Sequence, residues 1–504
     1  MTYGAEARLD ILRRDAEQKI LEPLRRHKWD AKIEREAAET LIIVAERGGH
    51  THRVALIYSS STANAVYKAL ATQVEHIFFN GAPYHVEQYA YGIAKPVTST
   101  DEFHSVMLEW NKASADGKFA PGNDEADEIE SGPPPYRFML AEQPLEAIWL
   151  RVRQFQSVKI AKQLVLRRAQ AVNVELSDGD IQTKAEGLAF TLRNALDYFQ
   201  AKEGRNVSQR ILNLYYGTLA FAFAEMLAAP NGPKTLAEIE AKTTQGHGLF
   251  TIDGPSGDLD VLVVGVISQG FFTFWTEFLG HSNGDIPGSK ARKFEELSFR
   301  PRTSWHSIEE LFASIPEVSD LFRDIFDGKP RWVRPVYDQL ANASLRLGPV
   351  KAPPQRSYVD LVDDSARLTR QDIGLYPGPI GEIGQIESPK AGRVFRVAVD
   401  HPGIDVWWNA LPIHHSPFER DALIMPIFGV ISEYRVTCLA LLYALSIVVR
   451  YRPSVWRRVQ EGDLDHMRVL IEAFLAVVER VLPEQFLEQV IGQRVFAKMT
   501  GSFY

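Results

Sequence analysis

The stretch Val436–Val449 is uncharged for 14 residues and closed at both ends by arginine, Arg435 and Arg450. It is the most apolar long segment of the chain, so it decides first whether the chain can enter a membrane. A spanning helix needs about 20 apolar residues. The preceding uncharged run, Ala422–Ser432, is cut off from it by Glu433 and Arg435, and a charge pair in mid-span is costly in lipid. The segment therefore reads as a helix buried in a protein core. Cys438, inside it and the single cysteine of the chain, reads as a small buried hydrophobe.

A chain of 504 residues is too long for one ordinary core, and two or three domains are expected. A net charge of -8 argues against a protein that coats nucleic acid generally. One cysteine excludes an internal disulfide and a Cys-rich zinc site. The first residues, MTYGAEARLDILRRD, contain no apolar signal core, so a cytoplasmic location without membrane attachment is expected.

Residues 1–112 read as a small α/β domain in the order α-β-β-β-α-β. Helices are predicted at Ala5–His27 and Thr62–Gln73, and strands at Trp29–Arg35, Thr40–Glu46, His52–Tyr58 and His76–Phe79. Gly48-Gly49 punctuates the second and third strands as a hairpin turn. Residues 113–135 carry six acids and Pro133-Pro134-Pro135, the composition of a linker. The remainder divides into a helical region over 136–346, a loop-rich insertion over 347–392 and a helical region over 393–504.

Within the first of these regions the pattern is helical from Leu145 to Leu227, broken at Asp178-Gly179-Asp180 and Gly204, with Ser208 as a cap. Asp258–Ile267 is apolar enough for a buried strand, and Ser307–Ile315 and Glu317–Phe326 read as short helices. Arg393–Val399 alternates as a strand, and Asp465–Val481 is helical. The fold class is thus α+β and mainly helical, with a minor β element in the body.

Common catalytic sets are missing. Gly284–Lys290 is one residue short of a phosphate loop and has Ser-Lys in the wrong order. Gly378–Gly384 lacks the Gly-x-Gly core of a dinucleotide fingerprint. Ser268 has Gly265 three rather than two residues before it, which is not a nucleophile elbow. His50 and His52 sit in the predicted hairpin with no ligand set nearby. His414-His415 precedes an expected helix start. Arg300 and His306 match the spacing of a helical-bundle nuclease motif, but Pro301 interrupts it. No cofactor or metal is implied, and an enzymatic role is not favoured.

Four pieces occur in order along the body: Ala185–Phe190 with the helix Asn194–Phe199; Arg210–Gly217, ending in Tyr215-Tyr216-Gly217; Gly246-His247-Gly248-Leu249, then a strand and Gly270-Phe-Phe; and Ala444-Leu-Ser446-x-x-x-Arg450-Tyr451-x-Pro453-x-x-Trp456. Together they resemble the YaaC-like family of bacterial proteins over roughly residues 150–490. The resemblance implies a HEPN-like helical core around an Arg/Tyr-rich interior, with no established activity. It points to Arg193, Asp197, Tyr215, Tyr216, His247, Arg450 and Trp456 as a polar core or ligand site. Tyrosine and tryptophan bring buried bulk with polar handles that need partners, and Arg450 and Arg193 are expected to satisfy them or to neutralise Asp197 and Glu225. The head resembles restriction-endonuclease-like domains in its element order. Its third strand, Val54–Tyr58, carries neither the acid nor the lysine such a metal site requires, so the resemblance implies a degenerate, non-catalytic copy.

Between Glu146 and Glu175 lie Arg151, Arg153, Lys159, Lys162, Arg167 and Arg168, with no acid. They are candidate nucleic-acid contacts, although they do not share one helical face. The leading expectation is a binding or assembly protein with protein partners, in defence against phage or foreign DNA. Nucleic-acid binding and homo-oligomerisation stay open, and the alternative is a nuclease.

Overall fold

The computed structural model describes residues 3–37, 39–81, 85–104, 106–107, 110–111, 136–201, 206–281, 286–336, 355–386, 392–404, 407–418, 421–429 and 431–498. The linker expected at 113–135 lies outside them. The chain divides into two compact units, Met1–Ile129 and Glu130–Tyr504.

The first unit is built on period-two alternation. Helix α1 (Tyr3–Ala16) continues through a π-turn to Arg26. It is followed by strands β1 (Asp30–Ala37), β2 (Thr40–Arg47) and β3 (His50–Ile57), helix α2 (Asn64–Ala71), and strands β4 (His76–Phe79) and β5 (Val97–Ser99). The sheet order is β1-β2-β3-β4-β5, antiparallel up to β3 and parallel beyond it. Leu41, Ile43, Val54, Leu56 and Phe78 face one side, with Leu12 and Leu24. Ile42, Ala55, Ile57, Ile77 and Phe79 face the other, with Tyr67 and Leu70 of α2. Alternate side chains of a strand point to opposite faces, so a nearly continuous apolar run serves both layers. The expected order of elements is present, with β5 added at the edge. His52 is not an exposed turn residue: its ring stacks on Trp110 at 4.3 Å and bonds Glu75 at 2.8 Å.

The second unit is mainly helical with several strands. Helices α3 (Pro144–Gln154), α4 (Val158–Ala171), α5 (Asp178–Phe199), α6 (Val207–Ala228), α7 (Leu236–Thr243) and α8 (Phe271–Phe278) form its first half. Helices α9 (Ile308–Phe312), α10 (Ser319–Phe326), α11 (Tyr434–Tyr451), α12 (Pro453–Glu461) and α13 (His466–Ile491) follow. Helix α6 is central and packs on α5, α11 and α13. The strand pair β6 (Tyr136–Leu140) and β16 (Arg494–Lys498) is parallel and ties the two ends of the unit together.

Several local expectations are corrected. Asp178-Gly179-Asp180 is not a break but the first turn of α5, because the Ser177 side chain accepts from the Asp180 N–H at 3.1 Å. Asn206, not Ser208, caps α6 by accepting from Gln209; both satisfy orphan donors of a helix start. The strand expected over Asp258–Ile267 shortens to β8 (Val263–Val266). It is flanked by β7 (Leu249–Ile252) and β9 (Trp305–Ser307) in the order β7-β8-β9. Helix α13 runs ten residues past Val481 and contains Pro483.

The insertion expected to be loop-rich supplies two strands of a six-stranded antiparallel sheet. Its members are β10 (Trp332–Val336), β11 (Arg356–Asp363), β12 (Ile380–Ile386), β13 (Arg393–Asp400), β14 (Ile413–His414) and β15 (Ala422–Ile424). Their order is β12-β13-β11-β10-β15-β14. The Pro/Gly-rich stretch 377–381 leads into β12 rather than dissolving it, and Pro353-Pro354 lie outside the described residues. Val359, Leu361, Phe395 and Val397 alternate into a separate core. On the exposed face Arg356 opposes Asp400 and Arg396 opposes Asp360, at 2.6 and 2.8 Å; such directly opposed charges support a register.

Helices α6 and α11 are long and apolar enough to cross a membrane, but 72% and 78% of their most apolar windows are buried inside the protein. Each also carries a buried charge. Arg435 of α11 forms an ion pair with Glu225 of α6, and both side chains are almost wholly buried. Trp275 donates to Glu225 at 3.3 Å, Glu433 accepts from Arg435 at 3.1 Å, and the guanidinium lies over the Trp275 and Phe486 rings. Glu225 is thus neutralised by Arg435, not by Arg450 or Arg193 as expected.

Arg435→Met should lower stability by about 3–5 kcal/mol, because it strands a buried carboxylate. The double variant Arg435→Met/Glu225→Leu should recover most of that loss. Urea unfolding of the two variants checks this; equal losses would mean that packing, not the unpaired charge, dominates.

Candidate functional site

Three of the four sequence pieces meet on the face shared by α6, α11 and the loop entering β7. Tyr215 Oη and His247 Nδ1 share a hydrogen bond at 2.8 Å. Tyr443 of α11 closes the group, with ring centroids 6.1 Å from Tyr215 and 5.6 Å from His247. Its hydroxyl donates to the Leu249 carbonyl at 2.9 Å. One turn and two turns further along α11, Ser446 and Arg450 continue the same face. Arg450 donates to the Tyr216 hydroxyl at 3.1 Å, and to the Ser446 carbonyl and Oγ at 3.1 Å each. Trp456 Nε1 donates to Ser208 Oγ at 2.8 Å, pinning α12 to the start of α6.

Glycine makes this convergence sterically feasible. A Cβ on Gly217 would stand 2.6 Å from the Phe199 ring, so a glycine here leaves room for Phe199 of α5 against α6. Gly270 has φ +115°, and a Cβ there would meet the Gly248 nitrogen at 2.4 Å. In that space Phe271 and Phe272 donate to the Gly246 and His247 carbonyls at 3.0 and 2.9 Å. The Gly-His-Gly loop is therefore stitched to the start of α8, which aims His247 at Tyr215.

Electrostatically the cluster is quiet. Burial, reinforced by the Arg450 charge, lowers the His247 pKa, so its ring resists protonation. Burial raises the Tyr215 hydroxyl well above the phenol range and pushes Tyr443 up to about 12. Both phenols stay protonated at neutral pH. Tyr215 Oη, His247 Nδ1, Tyr443 Oη and the Arg450 guanidinium bond internal partners, which positions backbone and holds shape.

Beside it opens a cleft of about 740 Å³ lined by Leu249–Pro255, Lys290–Glu295, Tyr443 and Arg452. Arg452, from the Arg-Tyr-x-Pro piece, is ion-paired with Asp253. Sequence reasoning missed Tyr443 and the cleft. Tyr443, Ser446 and Arg450 stand at i, i+3 and i+7, which places them on one helical face; this spacing was a readable signal. Lys290–Lys293 reached the cleft only through the chain's path.

Other expected residues lie elsewhere. Arg193 and Asp197 are exposed on α5, and Arg193 donates to the Gln156 carbonyl at 3.1 Å; they take no part in the Tyr/His cluster. Of the basic set, Arg151 and Arg153 lie on α3 and the rest on α4. Arg153, Lys159, Lys162 and Arg167 are exposed. Arg168 instead caps α13, donating to the carbonyls of Gln489 and Val490 at 2.6 and 2.9 Å, and that use competes with a nucleic-acid contact.

Arg300 and His306 do not form a nuclease pair. Arg300 donates to the Ser289 carbonyl and lies over Phe250. His306 is buried on β9, accepts from the Phe428 N–H at 3.1 Å and stands 3.5 Å from Glu310. His414 lies on a strand, not before a helix, and is locked by Glu317 at 2.7 Å, Gln485 at 2.9 Å and the Tyr434 ring at 3.9 Å. His415 bonds Asp421 at 2.9 Å. Among the described residues no three His, Cys, Asp or Glu side chains converge as a metal-ligand set.

A family model described as YaaC-like Protein matches residues 153–490, about two thirds of the chain. No curated protein and no solved structure matches the chain.

The His247 shift carries a sign that can be measured. A folded-state pKa below the unfolded value near 6.5 means the unfolded chain takes the proton first, so this group's contribution to stability falls as pH drops below about 6.5. In an NMR titration His247 should stay neutral where an exposed imidazole is charged. Arg450→Met should move its midpoint upward by removing a like charge. A midpoint that moves down or stays put would rule out Arg450 as a cause.

Proposed function

The chain belongs to the YaaC-like family, and we propose that it acts there as a binding and assembly protein rather than as a nuclease. The observation that carries this reading is the division between the locked Tyr215–His247–Tyr443 cluster and the open cleft next to it. A catalytic base or nucleophile must be free to meet a substrate proton or bond. Here Tyr215 Oη and His247 Nδ1 are bonded to each other and Tyr443 to the Leu249 carbonyl, while the cleft beside them is lined by exposed cations.

The finer expectations belong to the same proposal. The helical body is read as HEPN-like in descent, with the Arg300/His306 spacing no longer serving cleavage. The head is read as a degenerate restriction-endonuclease-like domain: its third strand is buried at Val54–Ile57, which leaves no position there for an acid-x-Lys metal site. A pair of nuclease-derived units used for binding suits a cytoplasmic defence protein acting with protein partners; this setting rests on analogy of fold.

Gel filtration with light scattering, and pull-down from the native host, should yield a stable assembly. A monomer that captures no protein would count heavily against the proposal. Incubation with labelled RNA and DNA, with and without Mg2+, should leave both intact. Cleavage abolished by His247→Ala or His306→Ala would establish the nuclease reading instead.

A further inference from the structure

We infer that the cleft between β7 and residues 290–295 is a phosphate-binding site, taking a phosphate-rich ligand through Lys290, Arg292, Lys293 and the open edge of β7. The inference rests on the binding reading above and names the chemistry of what is bound.

Four cations and two carboxylates, Asp253 and Glu295, line the cleft. Arg452 is already paired with Asp253. Lys290, Arg292 and Lys293 are all exposed, and none of their side chains has a carboxylate partner among the described residues. They fall within four consecutive positions, so their charges add over one short stretch of wall. Like charges held this close repel one another and are relieved by a multivalent anion. A phosphate supplies up to two charges and three acceptor oxygens at one point.

The floor offers donors of its own. Strand β7 is an edge, since β8 pairs only one side of it. The Gly248 carbonyl accepts from Ile267 on the β8 side, whereas the Leu249 carbonyl accepts from Tyr443 on the other. Backbone groups alternate sides along a strand, so the Thr251 N–H also faces the open edge. Backbone N–H groups beside cationic side chains are the usual donors to phosphate oxygens.

An acidic peptide adding as a further strand fits less well. Only Leu249 and Thr251 of the four strand residues face outward, and the Leu249 carbonyl is spent on Tyr443. Strand addition needs a row of free pairs. A volume of about 740 Å³ lies within the range of small-ligand sites, roughly 300–1,000 Å³. The phosphates can therefore come from a nucleotide or from a nucleic-acid backbone.

Full-length protein should be titrated with inorganic pyrophosphate, ATP, a fluorescein-labelled 12-nucleotide single strand and a 12-residue poly-glutamate peptide. Binding of either small probe, displacing the oligonucleotide, supports a nucleotide-type ligand. Binding of the oligonucleotide alone supports a nucleic-acid backbone. Its affinity should then fall roughly twentyfold between about 50 and 200 mM salt for three phosphate contacts.

The charge reversal Lys290→Glu/Arg292→Glu/Lys293→Glu changes exposed side chains only; it should leave the melting temperature in place and weaken binding at least tenfold. The control Lys32→Glu/Lys68→Glu/Lys95→Glu, at three exposed positions of the first unit, should leave binding unchanged. Failure of all phosphate probes, tighter binding of poly-glutamate, or a loss confined to the control variant would overturn the assignment. The assembly reading fails on different data: a partnerless monomer that binds pyrophosphate refutes assembly alone, and a stable assembly that binds no phosphate refutes this site alone.

Discussion

Arg435 and Glu225 form the contact on which the body depends. The pair joins α11 to α6, the two most apolar long helices, at a point where neither side chain reaches water. Burial would by itself lower the arginine's pKa, but Glu225 and Glu433 outweigh it and the guanidinium stays charged. Two buried charges cost several kcal/mol in desolvation before their attraction is counted. Only a well-bonded geometry offsets this, and here Trp275, Glu433 and the ring faces of Trp275 and Phe486 supply it. The same contact gives the two helices a fixed register, which apolar faces alone would leave loose.

That register sets what happens further along. With α11 held against α6, Tyr443, Ser446 and Arg450 come opposite Tyr215 and Tyr216. Gly217 lets α5 close in behind them, and the glycines at 246, 248 and 270 let the His247 loop approach α8 backbone to backbone. The cluster is therefore a consequence of packing, held by the Tyr215–His247, Tyr443–Leu249 and Arg450–Tyr216 hydrogen bonds. In the neighbouring cleft the chain path brings Lys290, Arg292 and Lys293, which have no carboxylate partner among the described residues, beside the edge strand β7.

How much of this the sequence carried depended on the range of the interaction. The head was legible because its strands alternate and its hairpin glycines are adjacent in the chain. The body helices were legible from their apolar spacing, and Tyr215, Tyr216, His247 and Arg450 from their motif pieces. That Arg193 and Asp197 lie on the exposed face of α5, apart from the Tyr/His cluster, was not legible, because a helical residue type does not reveal which face is buried. Ser208 looked like a cap, yet it stands two positions inside α6 and receives Trp456 instead. The sheet around β11 was hidden by prolines and glycines that mark strand ends, and its cross-strand pairs Arg356–Asp400 and Arg396–Asp360 are 44 and 36 residues apart.

By itself the sequence marked Val436–Val449, 14 uncharged residues closed at both ends by arginine, as a segment expected in a protein core. It also determined that the chain carries the marks of one family. Both are local properties, set by residue type and spacing. Tertiary structure decided that Arg435 is neutralised by a glutamate 210 residues away, that the motif residues lock one another, and that the open chemistry lies beside them. Those outcomes depend on which surfaces meet, and the free energy of a buried charge or an unpaired cation is set by its neighbours in space.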